Sequence, residues 1–385
     1  MKLALQLAYR NLMGSGLRTL LNVAVLSFAF VVIILYNGVI DGWNQQAKRD
    51  SIAWEYGKGE LINADYDPYD PFTLQDGHGI LPKDESQGLY PILIRQASIY
   101  PQGRMLSVVL KGIDTDQDIL KLPTEILTKS NALIPALIGK RMAKSANLKE
   151  GDQVLLRWRD KNGTFDASDV TIAGIFDTDV PNVDTGQIWV PIEKLWEMTG
   201  LTDHATLHIA DENFKPQPIE GWNFKDQNDL LKELNDIIAM KNVGGRVMYL
   251  LLLAIALLAI FDTQVLSIFR RQKEIGTYIS LGMTRWQVVW LFTIEGTMYS
   301  ILATILGCIY GIPLFIYMAT TGIGMPAASQ EMGIAVAERI FPVFGIGLIL
   351  STMLLVIVSS TIVSFLPARK IAKMDPVEAL KGKLQ

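Results

Sequence analysis

The chain has 385 residues, long enough for two domains, with half of them hydrophobic, 19% charged and a formal net charge of −4. That mixture calls for segregation, with some segments made for lipid and others for water. The single cysteine, Cys308, excludes an intrachain disulfide and any cysteine-based metal site.

The first residues, MKLALQLAYRNLMG, set Leu3, Leu5, Leu7 and Leu12 against Lys2, Gln6, Arg10 and Asn11. This spacing predicts an amphipathic helix over 1–17, lying along a membrane interface. Thr19–Ile40 follows as an apolar stretch of the roughly 20 residues that a bilayer requires, within a first span at 18–42. It is too long for the apolar core of a cleaved signal peptide, and the Gly-Trp-Asn after it is a poor cleavage context.

Residues 43–245 form a water-facing domain without staples, which about 200 residues can sustain with a core of their own. Residues 41–245 hold 32 Asp/Glu and 21 Lys/Arg, a net of −11, so the rest of the chain is +7. The domain reads as mixed α/β. Residues 51–90, rich in Asp, Pro, Gly and Tyr, read as mostly loop. ALIGKRMAKSANL suits a short helix that buries Leu137, Met142 and Leu148. QVLLRWR alternates, with Val154, Leu156 and Trp158 on one face, and Asn162-Gly163 favours a hairpin into DVTIAGIF. IWV makes a short strand, Pro191 stands at the start of the helix PIEKLWEMTG, and residues 228–241 form a helix leading into the second span.

Three more apolar stretches follow, Val247–Phe269, Val288–Ala319 and Phe341–Leu366. They place spans at 246–269, 289–319 and 341–366, with a connecting segment at 270–288, a loop at 320–340 and a tail at 367–385. Proline disfavours helix in the residue before it, so Leu366-Pro367 predicts a break. The start, the 270–288 segment and the tail are all basic. An even number of spans puts all three on one side, and Lys/Arg bias makes that side the cytoplasm. The 43–245 domain then lies outside the membrane on the opposite face. No nucleic-acid partner is expected.

Several constellations invite a chemical reading. No G-x-x-x-x-G-K-[ST] occurs, so the chain offers no Walker A loop for ATP. His204 and His208 are four apart, but DHATLHIA has strand character and no Glu accompanies them, so a metal is not the simplest reading. Asp114-x-Asp116-x-Asp118 with Glu125 mimics a calcium loop, yet Ile119 replaces the glycine its sharp turn needs, and a solvated acidic turn is simpler. Asp262 and Glu295 lie inside spans near the cytoplasmic end, where an ionisable group is a functional candidate by default. Gly307, Gly311, Gly345, Gly347 and Ser351 are read as positions of close helix packing.

The segment RRQKEIGTYISLGMTRWQVVW, 270–290, is cationic yet periodic. Ile275, Tyr278/Ile279, Gly282, Trp286 and Val289 recur at three and four residues, an amphipathic helix with Arg270, Arg271 and Lys273 at the headgroups before it. A slack loop needs no such order. Gly276 with Leu281-Gly282-Met283 is expected to form a small, bumpy surface facing the cytoplasm, suited to another protein.

EIGTYISLGMTRWQVVWLFTIEG (274–296) resembles the signature of FtsX-like permeases, the group that includes MacB and the lipoprotein-releasing LolC and LolE. LAYRNLMGSGLRTLLN, IGKRMAKSANLKEGDQV with GIFDTD, and PARKIAKMDPVEALK match in the expected order. LYNGVIDGWNQQ and GELINADYDPYDP look more like the LolC/LolE side. The resemblance implies four transmembrane helices, with a large extracytoplasmic α/β domain, like the MacB periplasmic core, inserted between helices 1 and 2. It implies a bacterial inner-membrane permease subunit of a mechanotransmitting, type VII ABC transporter, itself not an enzyme and with no cofactor of its own. A separate cytoplasmic ATPase would bind ATP and Mg. Glu274, Ile275, Gly276, Leu281, Gly282 and Met283 would seat in a groove of that ATPase. A second permease, identical or paralogous, and membrane lipids complete the implied partners, with a periplasmic lipoprotein carrier among them. The work implied is release of a lipoprotein or another lipid-anchored or amphipathic substrate. The alternative is a mechanotransmitter that regulates an extracytoplasmic enzyme, such as a wall hydrolase, without transport.

Overall fold

The computed structural model describes residues 16–82, 84–324 and 339–373. The amphipathic helix expected over 1–17, most of the 320–340 loop and the tail beyond residue 373 lie outside the described residues. The helices are α1 (Leu17–Ser51), α2 (Glu125–Lys129), α3 (Lys140–Ala146), α4 (Pro181–Asp184) and α5 (Ile192–Thr199), then α6 (Gln227–Leu230), α7 (Lys232–Arg270), α8 (Gln272–Ser280), α9 (Arg285–Thr321) and α10 (Ile346–Ala368). The chain divides into two compact units. One is built from the described parts of 1–44, 238–323 and 339–385, and the other from 45–237 with residue 324.

In the first unit four helices are long and apolar enough to cross a membrane. At 1.5 Å per residue the 35 residues of α1 and the 39 of α7 run to roughly 50–60 Å, well beyond the apolar stretch each contains. Their shared core takes Leu26, Phe30 and Ile34 from α1, Ala256 and Ile260 from α7, Tyr299 and Ala303 from α9, and Val356 from α10. The opposite sides expose Leu251, Ile255, Ile309, Leu354 and Ile362, which suits a lipid solvent. Gly307 and Gly311 lie against Phe30 and Val31, as close packing requires. A Cβ on Gly345 or Gly347 would meet open space, and Ser351 is exposed, so these three do not pack as expected. Pro367 does not end its helix: α10 continues to Ala368 and then a 3-10 turn, Arg369–Lys373. Pro367 takes one donor, that for the Val363 carbonyl, from the ladder, and it stands one residue from the helix end, where few further helical bonds remain to be disturbed.

The second unit is built on a nine-stranded sheet. Its strands are β1 (Gly59–Asn63), β3 (Leu89–Ile99), β4 (Leu106–Ile113), β5 (Pro135–Gly139), β6 (Gln153–Arg159), β7 (Phe165–Phe176), β8 (Gln187–Pro191), β10 (Leu207–Ala210) and β11 (Trp222–Asp226). Two short strands, β2 (Gly79–Ile80) and β9 (His204–Ala205), pair apart from it. The order is β11-β1-β10-β3-β4-β8-β5-β7-β6, and β6 also pairs with the end of β3 at Ala97–Ile99. The six strands from β3 to β6 therefore close on themselves as a mixed barrel, with β10, β1 and β11 extending it from the first half of β3. Alternation along the strands fills the barrel. Leu93, Val108, Leu110, Ile138, Leu156, Ile172 and Ile188 point in, and α3 and α5 add Met142 and Leu195. A second apolar layer on the outside takes Ile92, Ile94, Ile113, Leu137 and Trp189 from the same strands.

ALIG, expected within a helix, is instead strand β5, buried at every position between parallel β7 and antiparallel β8. A strand covered on both faces shows no alternation, so its short apolar run reads like the start of the helix that follows. GELIN, inside the segment read as mostly loop, is strand β1 for the same reason. The hairpin around Asn162-Gly163 forms between β6 and β7, with Gly163 at φ 79°.

Candidate functional site

The chain leaves α7 at Arg271, runs through the nine residues of α8, and turns at Leu281–Thr284 into α9. The periodic stripe seen in the sequence thus spans two helices. α8 ends with Gly282 N–H donating to the Ile279 carbonyl and Met283 N–H to that of Tyr278, both at 3.1 Å. Gly282 has φ +98°, a backbone that side chains resist. α9 restarts with a capping box, Thr284 and Gln287 each bonding the other's backbone N–H.

The six coupling residues do not share one surface. Ile275 is fully enclosed, in a cluster with Ile268 of α7, Val288 and Phe292 of α9, and Ala368 and Ile371 at the end of α10. Gly276 is also buried, so the bumpy outward surface expected of it with Leu281–Met283 is not formed as one patch. The outward face carries Glu274, Thr277, Leu281 and Gly282, with Met283 half-buried at its edge. Leu281 is 79% exposed, with no apolar cover among the described residues.

The sequence reading missed what holds α8 in place. Arg271, expected at the headgroups, turns inward. Its Nη1 donates to both carboxylate oxygens of Glu295 at 2.9 and 3.1 Å, and its Nε donates to Glu274 at 2.7 Å. The guanidinium also lies 4.8 Å from the Phe292 ring centroid. Glu295 is buried on α9, one turn past Phe292. A charged clamp, one guanidinium nitrogen shared between both Glu295 oxygens with Nη2 left buried and unpartnered, therefore ties the start of α8 to the wall of α9. The two residues are 24 apart in sequence, and the only available signal was an ionisable residue inside an apolar stretch. Just beyond the clamp is a polar layer. Gln264 and Ser364 are buried, Ser360 Oγ donates to the Gly296 carbonyl at 3.4 Å, and the Thr297 and Thr361 hydroxyls bond at 3.0 Å. Asp262, by contrast, is exposed on its helix.

The remaining sequence candidates lie in the second unit. His204 Nδ1 meets His78 Nδ1 at 2.9 Å, while His208 stacks edge-on against Trp222 on another strand. Asp114 accepts from the Asp116 N–H in a turn, and Glu125 pairs with Lys129 at 2.6 Å. Among the described residues no group of three His, Cys, Asp or Glu is placed to hold a metal ion.

A bundle of four long apolar helices with a clamped amphipathic segment between its second and third members defines a class, the polytopic membrane protein. Residues 246–376, which contain that segment, match the family model "FtsX-like permease C-terminal". Residues 246–376, which run from within α7 to beyond α10, are thus an FtsX-like permease C-terminal domain. Relatives include the uncharacterized ABC transporter permease YknZ of Bacillus subtilis (strain 168), 25% identical over 264 residues, covering 64% of this chain and 61% of that protein. The lipoprotein-releasing system transmembrane protein LolC of Xylella fastidiosa (strain 9a5c) is 22% identical over 272 residues, with 64% of each chain covered. Each match spans less than two thirds of the relative's own length. The extracellular domain of YknZ from Gram-positive bacteria aligns with 40% of this chain and 83% of itself, at 15% identity and a TM-score of 0.23. The barrel is defined by its own strand pairings.

Proposed function

We propose that this chain is the membrane subunit of a mechanotransmitting ABC transporter, worked from the cytoplasmic side by a separate ATPase that binds ATP and Mg. The observation that carries this reading is the clamped α8. A short helix presents Glu274, Leu281 and Gly282 outward while Arg271, Ile275 and Gly276 bind it to α7, α9 and α10. A push on the exposed turn is then delivered to the bundle as a rigid displacement, because a salt-bridged and packed helix cannot absorb it locally. ATP-bound ATPase need only prefer one bundle state for the domain between α1 and α7 to be driven. Ile275 and Gly276 serve here as the anchor, and the contact rests on Glu274, Leu281, Gly282 and the edge of Met283. A second permease, identical or paralogous, completes the assembly, and the cargo is a lipoprotein or another lipid-anchored or amphipathic molecule. A periplasmic carrier would accept a lipoprotein so released.

The test is Leu281→Glu, which places a charge on the exposed turn without touching the anchor. The variant should insert and fold as before but lose co-purification with the partner ATPase. Undiminished co-purification would overturn the assignment. With wild-type complex in liposomes, ATP-dependent release of a lipoprotein to a soluble acceptor supports release as the function, and ATP turnover without release leaves signal transmission.

A further inference from the structure

The outer face of the barrel carries two charges where apolar residues would be expected. Ile62 of β1 lies opposite Leu207 of β10, which lies opposite Ile92 of β3. Ile94 lies opposite Lys111 of β4, and Lys111 opposite Trp189 of β8. Glu60, two residues before Ile62 and so on the same face, lies opposite Ile209. Lys111 Nζ stands 4.8 Å from the Trp189 ring centroid.

Two segments stand over this face. The π-helical turn Ile52–Tyr56, which continues α1, supplies Glu55 and Tyr56, and residues from Asp229 to Asp236 supply the other side. Gln227 Nε2 donates to the Gly57 carbonyl at 2.7 Å and ties the two segments together. Between them and the sheet is a cavity of about 550 Å³, within the range of sites for small organic ligands.

Glu55 is bonded by Asn182 and Tyr56, but two other polar groups of the cavity are short of partners. Glu60 is 7% exposed, and its carboxylate has no hydrogen bond or ion pair among the described residues. The buried Trp189 indole N–H has no partner either. Burial pushes the Glu60 carboxyl up to about 8, with the charge of Glu55 acting the same way and Lys111 and Lys225 opposing. Burial likewise raises Glu55 and lowers Lys111. Five carboxylates line the cavity, Glu55, Glu60, Asp229, Glu233 and Asp236, against three lysines, Lys111, Lys225 and Lys232, a balance that favours entry of a cation. The rings of Tyr56 and Tyr66 in the same wall suit a cation too.

We propose that this cavity binds a primary amine carried on an apolar body, the ammonium seated between Glu60 and Glu55 and the apolar part on Ile62, Ile92, Ile94 and Leu207. The same chemistry is offered by a free amphiphilic amine and by the amino terminus of an apolar peptide. The proposal stands apart from the permease reading, since binding is a property of this chain without any ATPase.

The experiment titrates the full chain, in phosphatidylcholine nanodiscs at pH 7, by calorimetry in Tris and in phosphate. The probes are 2-phenylethylamine and leucyl-phenylalanine amide, with 2-phenylethanol and the N-acetylated peptide as uncharged controls. Both amines, or one of them, should bind where their controls do not, and whichever binds identifies the source. Binding should release about one proton per ligand, because the arriving ammonium ionises the Glu60 carboxyl. Glu60→Gln should weaken binding at least tenfold and abolish the proton release, while Lys111→Met should keep or tighten it. The inference is overturned by equal binding of the alcohol, by release of no proton, by unchanged affinity in Glu60→Gln, or by failure of both amines at millimolar concentration. A Lys111→Met variant that loses binding would mark an anion site and overturn it equally, whether or not Glu60→Gln folds.

Discussion

Glu295→Gln tests whether the Arg271 clamp holds α8. In the wild type Arg271 Nη1 reaches both Glu295 oxygens, at 2.9 and 3.1 Å, with side-chain exposures of 3% for Glu295 and 16% for Arg271. Removing one partner of a fully buried pair costs about 3–5 kcal/mol, because the remaining charge stays uncompensated. Arg271 is not fully sealed and keeps Glu274, whose side chain is 54% exposed, as a second partner. The expected cost is therefore lower, about 2–3 kcal/mol. Arg271→Gln in the same chain removes the stranded charge, so the double variant should be less destabilised than the sum of the singles, with a coupling of at least about 1 kcal/mol. The assay is reversible unfolding of the purified chain in mixed micelles, followed by tryptophan fluorescence. Under the proposed mechanism, the same single variant should keep a partner ATPase bound while turnover no longer drives the second unit. Single and double effects that add within about 0.5 kcal/mol would refute the clamp.

Gly296→Ala should destabilise the bundle by about 1–3 kcal/mol, since overpacking forces its neighbours to shift. Its Cβ would overlap the Ser364 side chain and come 2.8 Å from Gln264 Nε2. Ser364→Gly in the same chain should recover part of the loss in the same unfolding assay. Gly282→Ala should cost about 1–2 kcal/mol through its positive φ alone, measured likewise, so the contact itself is better tested at Leu281. His208 is 4% exposed, and its Nδ1 has no partner. Burial lowers its value from 6.5 to about 4. The folded state thus favours the neutral ring, and the contribution is complete above pH 6.5 and lost as pH falls from there towards 4. Its size is about 3 kcal/mol. His208→Leu should accordingly reduce the drop in melting temperature between pH 7 and pH 4.5, and an unchanged drop would reject this account.

The membrane part was legible because hydropathy over 20 residues is a one-dimensional property. Four apolar stretches are visible from residue types alone; three lie whole within long helices, and the fourth, Phe341–Leu366, is helical only from Ile346. The alternation in QVLLRWR and the period through 272–289 were legible for the same reason, since each needs only its own segment. β1 and β5 were not, because strands enclosed on both faces carry no alternation and are recognised only by what pairs beside them. The inward turn of Ile275 and Gly276 was likewise hidden. A helical stripe shows which residues share a face but not whether that face meets a neighbouring helix or a partner.

By itself the sequence determined that lipid-suited and water-suited segments alternate, that the basic segments flank the spans, and that an ordered helix interrupts the second and third. All of these follow from local composition and period. Only the tertiary structure decided that Arg271 reaches Glu295 across 24 residues, that β6 returns to β3 and closes a barrel, and that Glu60 and Lys111 share one cavity. Such pairings join residues distant in the chain. Their physical cause is the packing of whole elements, which no single stretch of residues encodes.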